Sequence, residues 1–190
     1  MAQSSRMGMD HSGMPAAPYG GAMTTTTAHS PAPALAHEHT PRMNFAERVP
    51  EFYRAMIRLE QEAAKGVDPV LYHLIKIRAS QINHCAFCLD MHTKDALAEG
   101  ETVERVVQLA AWQESRHFYT ERELAAIALT EAVTVLTDGF VPDEVYAAAA
   151  EHFDEAELAR VIGAIVVINS WNRIAVTTRM VPGHYTPRSH

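Results

Sequence analysis

Cysteine is nearly missing from this chain: only Cys85 and Cys88 occur among 190 residues. Three positions apart, they are too close to staple a fold, which argues against a secreted scaffold built on disulfides. Long apolar runs are also absent. The longest, residues 161–168 with Gly163 counted within it, falls well short of the about 18 residues that a membrane span needs, so no transmembrane segment is expected. The first 42 residues lack the apolar core of a secretory signal, and a cytoplasmic location is the default expectation. Positive charge is in deficit too. With 16 Lys and Arg against 23 Asp and Glu, the formal charge is −7, and no basic stripe offers itself to phosphates, which argues against nucleic-acid binding. Strand signals are almost lacking.

What is present divides into two parts. Residues 1–42 are rich in Pro, Gly, Ser, Thr, Met and His, with a run from Thr24 to Thr27 and no hydrophobic periodicity. Such a segment buries too little surface to offset chain entropy, and it reads as a disordered tail. Residues 43–190 read as one all-α domain. Pro50 opens a helix that Gly66 stops near Lys65, and Asp68 with Pro69 caps and opens a second, whose Val70, Leu71, Leu74, Ile75 and Ile77 form an apolar face. Further helices are expected over residues 86–99, 102–112, 121–137, 143–153 and 155–179. Thr120 with Glu123, and Asp154 with Glu157, have capping-box spacing. The last helix is apolar on most sides near its middle, as suits burial in a bundle or at an oligomer interface.

The second helix leads directly into the residues that carry chemistry. Cys85, Cys88 and His92 stand at i, i+3 and i+7, along one helical face, with Cys88 and His92 as i,i+4 neighbours. A thiol reacts as its thiolate. An adjacent imidazole favours that form at Cys88 and a helix N-terminus favours it at Cys85, so either sulfur is a candidate nucleophile. Two cysteines one turn apart can also close as a disulfide and so recycle an oxidised thiol. The alternative is structural: two buried thiols acting as small hydrophobes beside an incidental histidine.

The string RASQINHCAFCLDMH, from Arg78 to His92, followed by Thr93, Lys94, Asp95 and Ala96, resembles the signature of the AhpD-like (carboxymuconolactone decarboxylase) family. There Ser, Asn, Cys, Cys and His recur at this spacing. The resemblance spans about residues 43–180 and leaves out the tail. It implies an all-α AhpD-like helical bundle, assembly into trimers or hexamers, and a CxxC-dependent peroxidase or disulfide reductase acting on hydroperoxides in antioxidant defence. By position, Cys88 would attack the peroxide, Cys85 would resolve it and relay protons, and His92 would polarise Cys88. No metal or organic cofactor is implied, and electrons would come from an external thiol or protein dithiol donor. The decarboxylase branch that gives the family its other name is disfavoured, because it does not rely on a CxxC pair.

Two departures from the family pattern stand out. Its relay glutamate, twelve residues before the first cysteine, is replaced here by His73. A histidine can act as a base near neutral pH, which leaves either an altered relay or a core histidine. The glycine common before the first cysteine is replaced by His84, a second imidazole that could join Cys85, Cys88 and His92 in a metal site. Ser80 and Asn83 are expected to buttress the turn between helices. Arg78 is a candidate for pairing with an acidic neighbour, while Trp112 and Trp171 are read as packing residues. In the tail, Met7, Met9, His11 and Met14, with His29, His37 and His39, concentrate soft ligands that would suit copper(I). A copper- or zinc-binding protein using the tail and the Cys/His cluster is therefore the alternative function.

Overall fold

Prolines and capping side chains start the helices, and glycines or local polar groups stop them. The computed structural model describes residues 40–187; the expected tail through residue 39, with its methionines and histidines, lies outside them. Among the described residues the chain forms α1 (Phe45–Arg48), α2 (Pro50–Ala64), α3 (Pro69–Ile82), α4 (Ala86–Ala98), α5 (Val103–Gln108), α6 (Glu121–Thr134), α7 (Asp143–Ala150) and α8 (Glu155–Thr178), with no strand. Asp68 accepts from the Leu71 amide at 3.0 Å to open α3. Both capping boxes form, Thr120 with Glu123 at α6 and Asp154 with Glu157 at α8. Gly66 ends α2 with φ +74°, and a Cβ there would collide with the Arg160 guanidinium.

Two elements differ most from the sequence expectation, while α6 and α7 each end three residues short of it. Asn44 caps the short α1, which the periodicity did not mark, and just before it Arg42 donates to the carbonyls of Thr177 and Thr178 at the end of α8. The helix expected over residues 102–112 is α5 followed by a 3-10 turn, Leu109–Ala111. The Ser115 hydroxyl donates to the Gln108 and Ala111 carbonyls. Those are acceptors that a continuing α-helix would use for its own amides.

α3 is the axis of the bundle and packs against α4, α6 and α8. One apolar cluster joins its Leu71 and Ile75 to Leu129, Phe153, Val161 and Ile165. A second joins Leu74 and Ile77 to Leu109, Trp112, Leu124 and Ile127. Burying each such side chain stabilises the fold by about 1.5–3 kcal/mol. α8 has the length and mean hydropathy of a membrane span, but half of its most apolar window is buried inside the bundle. It packs on α2, α3, α4 and α6, and its core face carries Asn169 and Asn172. Those are the marks of a central core helix.

The two asparagines belong to a polar seam. The Asn83 amide group at the C-cap of α3 donates to Asn169 Oδ1 and Asn172 Oδ1, both at 2.9 Å, and to the Ala79 carbonyl. Asn172 in turn donates to Ser80 Oγ at 3.0 Å, and Asn169 to Thr134 Oγ1 at 3.0 Å. Asn172 is 1% exposed, so Asn172→Ala strands a buried hydroxyl with no water to replace the bond. The expected loss is about 2 kcal/mol of unfolding free energy. Urea titration of the oxidised protein measures it, and a loss below about 0.5 kcal/mol would mean the seam contributes little.

Candidate functional site

The seam fixes the place where α3 ends and α4 begins. The Cys85 amide donates to the Ser80 carbonyl at 3.0 Å, and Cys85 is the N-cap of α4, its Sγ accepting from the Cys88 amide at 3.4 Å. Cys85 and Cys88, both buried, are joined as a disulfide with their Cα atoms 5.4 Å apart. The connection requires a left-handed residue just before Cys85. That residue is His84 at φ 52°, its side chain exposed. Glycine takes this conformation without a Cβ penalty, so the histidine carries a backbone cost here.

Cys88 and His92 line one pocket of about 360 Å³, together with Glu60 and Tyr53 of α2, Lys76 of α3, Phe87, Met91 and Asp95 of α4, Trp171 and Ala175 of α8, and Met180 and Tyr185 beyond it. Its walls are largely aromatic and sulfur-bearing, with the Tyr53 and Trp171 rings edge to face at 5.3 Å. Cys85 instead lines a smaller recess with His84, Phe87, Val176, Arg179 and Met180. The two sulfurs of one disulfide therefore border different openings.

His92 is buried, and both of its ring nitrogens lack a hydrogen-bond partner in the structure. Burial, reinforced by the charges of Lys76 and His73, holds its pKa well below the usual histidine value. It is thus a neutral imidazole at neutral pH, with free donor and acceptor capacity facing a pocket. His73, expected on the relay, sits one step back. Its Nε2 lies 3.0 Å from Glu99 Oε2, its Nδ1 is buried without a partner, and it does not line the thiol pocket.

Charged groups that the sequence reasoning did not single out stand in the pocket wall. Lys76, 5% exposed, pairs with Glu60. Glu60 also accepts from the Tyr72 hydroxyl and from Trp171 Nε1, both at 3.0 Å. Trp171, read as packing, is therefore also a polar wall residue. Asp95 accepts from the Tyr185 hydroxyl at 2.6 Å. The only sequence signal for Lys76 was its place: a charged residue inside an otherwise apolar helix face. Of the remaining expectations, Ser80 and Asn83 do buttress the turn, Arg78 pairs with Glu131 at 2.7 Å, and Trp112 Nε1 donates to the same carboxylate. Among the described residues, no group of three or more His, Cys, Asp or Glu is arranged to hold a metal ion. Exposed His84 and buried His92 point to different surroundings rather than to one site with the cysteines.

The fold and this site define an all-helical protein with a CxxC pair at the N-terminus of a buried-histidine helix. The chain belongs to the carboxymuconolactone decarboxylase family, whose pattern matches residues 50–132. It is 42% identical to the uncharacterized protein YdfG of Bacillus subtilis over 136 residues, 71% of this chain and 92% of YdfG. It is 29% identical to the uncharacterized protein YnjA of Escherichia coli over 103 residues, 54% of this chain and 56% of YnjA. A crystal structure from Agrobacterium tumefaciens, of a protein of unknown function suggested to be the antioxidant defence protein AhpD, superposes with a TM-score of 0.74 at 37% identity, covering 77% of this chain and all of that one. An uncharacterized peroxidase-related protein from Ralstonia eutropha with an AhpD core shares the fold at a TM-score of 0.64 and 18% identity, covering 73% of this chain and 74% of that one. The all-α AhpD-like architecture and the family are thereby established.

Two outcomes follow from the geometry. His84→Gly removes a left-handed side chain at the cost of a freer unfolded chain, and should raise unfolding free energy by about 0.5–1 kcal/mol in urea titration. For His92 the fold depresses the pKa, so below about pH 6.5 the unfolded chain binds a proton that the folded protein refuses. Stability therefore falls as pH drops through that value, by at most about 1.4 kcal/mol per pH unit from this group. His92→Leu should flatten this part of the stability profile between pH 5 and 7, and an unchanged slope would place the acid sensitivity elsewhere.

Proposed function

We propose that this protein is a CxxC-dependent thiol peroxidase that reduces hydroperoxides, with a disulfide-reductase half-reaction returning it to the dithiol. One observation carries the reading: Cys88 shares a pocket with a buried, neutral, unpartnered His92 while Cys85 stands within disulfide reach behind it. The neutral imidazole can donate a hydrogen bond to the Cys88 thiolate, and the proton lost by the thiol goes with the departing alcohol. The thiolate attacks one peroxide oxygen, the O–O bond breaks, and the alcohol leaves with a proton as Cys88 becomes a sulfenic acid. Cys85 then condenses with that sulfenic acid, releases water and forms the disulfide. Two electrons from an external thiol or protein dithiol restore both thiols. In this scheme His73, backed by Glu99, is the outer proton relay behind His92. The resident machinery is protein alone, a cytoplasmic setting supplies the reductant, and assembly into a trimer or hexamer belongs to the same proposal.

Hydroperoxide consumption driven by a dithiol, assayed on metal-free protein, tests this reading. Cys88→Ser and Cys85→Ser should each lower turnover at least about 100-fold, since each removes an obligatory sulfur. A chain lacking residues 1–42 should keep its rate. No turnover with several mono- and dithiol donors would overturn the proposal, and loss of activity on removing the tail would point to the copper- or zinc-binding alternative.

A further inference from the structure

The thiol pocket contains a cation that no catalytic role has yet used. Lys76 comes from the middle of α3, is almost wholly buried, and reaches the same pocket as Cys88 and His92. An ammonium in such a place needs a reason, because burying a charge is costly unless it is paired or used. Its partner is Glu60 of α2, and its Nζ lies 4.1 Å from the centre of the Tyr72 ring. The other charged or titratable groups near it are His73 of α3, His92 and Asp95 of α4, and Glu99 at the C-cap of α4, with Tyr185 bound to Asp95. α8 contributes the Trp171 indole, which donates to Glu60, and Glu131 of α6 is engaged by Arg78 and Trp112.

The buried His92 is a neutral imidazole at neutral pH, so an imidazolium is not the charge beside Cys88. A thiolate formed in this pocket needs a counter-charge, and the pocket wall offers Lys76 for it. We propose that Lys76, held in place by Glu60, is a catalytic residue of this pocket: its ammonium pairs with the Cys88 thiolate in the reduced protein and gives its proton to the alkoxide released when that thiolate cleaves a peroxide. Burial pushes the ammonium below its ordinary pKa against the opposing pull of Glu60, which brings it closer to the range of a working acid.

Protons and electrons balance without a further reactant. The Cys88 thiolate, the Lys76 ammonium and ROOH give the Cys88 sulfenic acid, ROH and neutral Lys76. The Cys85 thiol then displaces hydroxide as water and forms the disulfide. When the external dithiol reduces that disulfide, the new Cys88 thiol passes its proton to neutral Lys76 and the ion pair is restored. Glu60 is a positioning residue here, since it acts on Lys76 rather than on the substrate.

The proposal rests on the peroxidase reading for its second step only, so its first step is tested without peroxide. In a Cys85→Ser background, the pH dependence of Cys88 alkylation by iodoacetamide reports thiolate formation. Lys76→Met should move the midpoint up by about one pH unit, a roughly tenfold slower alkylation at neutral pH. The pair-neutral double variant K76M/E60Q, which leaves no unpaired buried charge, should move it the same way. Lys76→Arg should restore the midpoint but not the peroxide step, because a guanidinium keeps its proton. With that variant, sulfenic acid formation should slow most for peroxides whose alkoxides are most basic. Unchanged alkylation midpoints in both the single and the double variant would overturn the pairing, and a full peroxide rate in Lys76→Arg would overturn the proton donation. If wild-type protein consumes no peroxide while the midpoints still shift, the peroxidase reading fails and the Lys76–thiolate pair stands.

Discussion

Cys85 and Cys88 can close as a disulfide here only if α3 stops, the backbone reverses hand for one residue, and α4 starts with Cys85 already turned inward. All of this happens between Ile82 and Ala86. The amide group of Asn83 holds the junction by bridging to Asn169 and Asn172 on α8, and the Ser80 carbonyl catches the Cys85 amide. A buried amide network of this kind is highly directional, since a shifted residue would orphan several donors at once. The position of both sulfurs therefore depends on side chains about 86 to 89 residues away in sequence. This is why the core helix α8 carries asparagines on its buried face, just after its apolar run.

Much of this was legible in advance because it rests on local chemistry. Pro50, Gly66, Asp68, Thr120 and Asp154 act on their own helix ends, so their spacing alone placed five boundaries that the structure reproduces. The i, i+3, i+7 spacing of Cys85, Cys88 and His92 likewise put them on one face of α4. The early end of α5 was hidden because it depends on Ser115 folding back on Gln108 and Ala111. The charged half of the pocket was hidden for a stronger reason. Glu60 and Lys76 lie on different helices, and nothing in either segment shows that α2 and α3 bring them together against Trp171 of α8. An apolar-periodic helix with one lysine reads as a helix whose lysine faces water, and only the packing of α3 on several sides reverses that reading.

His73 stands one step behind the pocket, where the resemblance implies a relay carboxylate. A carboxylate at that point of α3 would be a charged group next to His92, and in this chain the place is taken by an imidazole that leans on Glu99. One carboxylate of the pocket wall comes from α2, as Glu60, and it is paired with a lysine. A lone buried carboxylate favours its neutral form and can serve as a base only when something charges it, whereas an ion pair keeps both charges present at neutral pH. The pocket wall thus carries Lys76, Glu60 and Asp95 beside a histidine that the protein keeps uncharged. The cation in α3 supplies a positive charge to the wall of the pocket that Cys88 and His92 share.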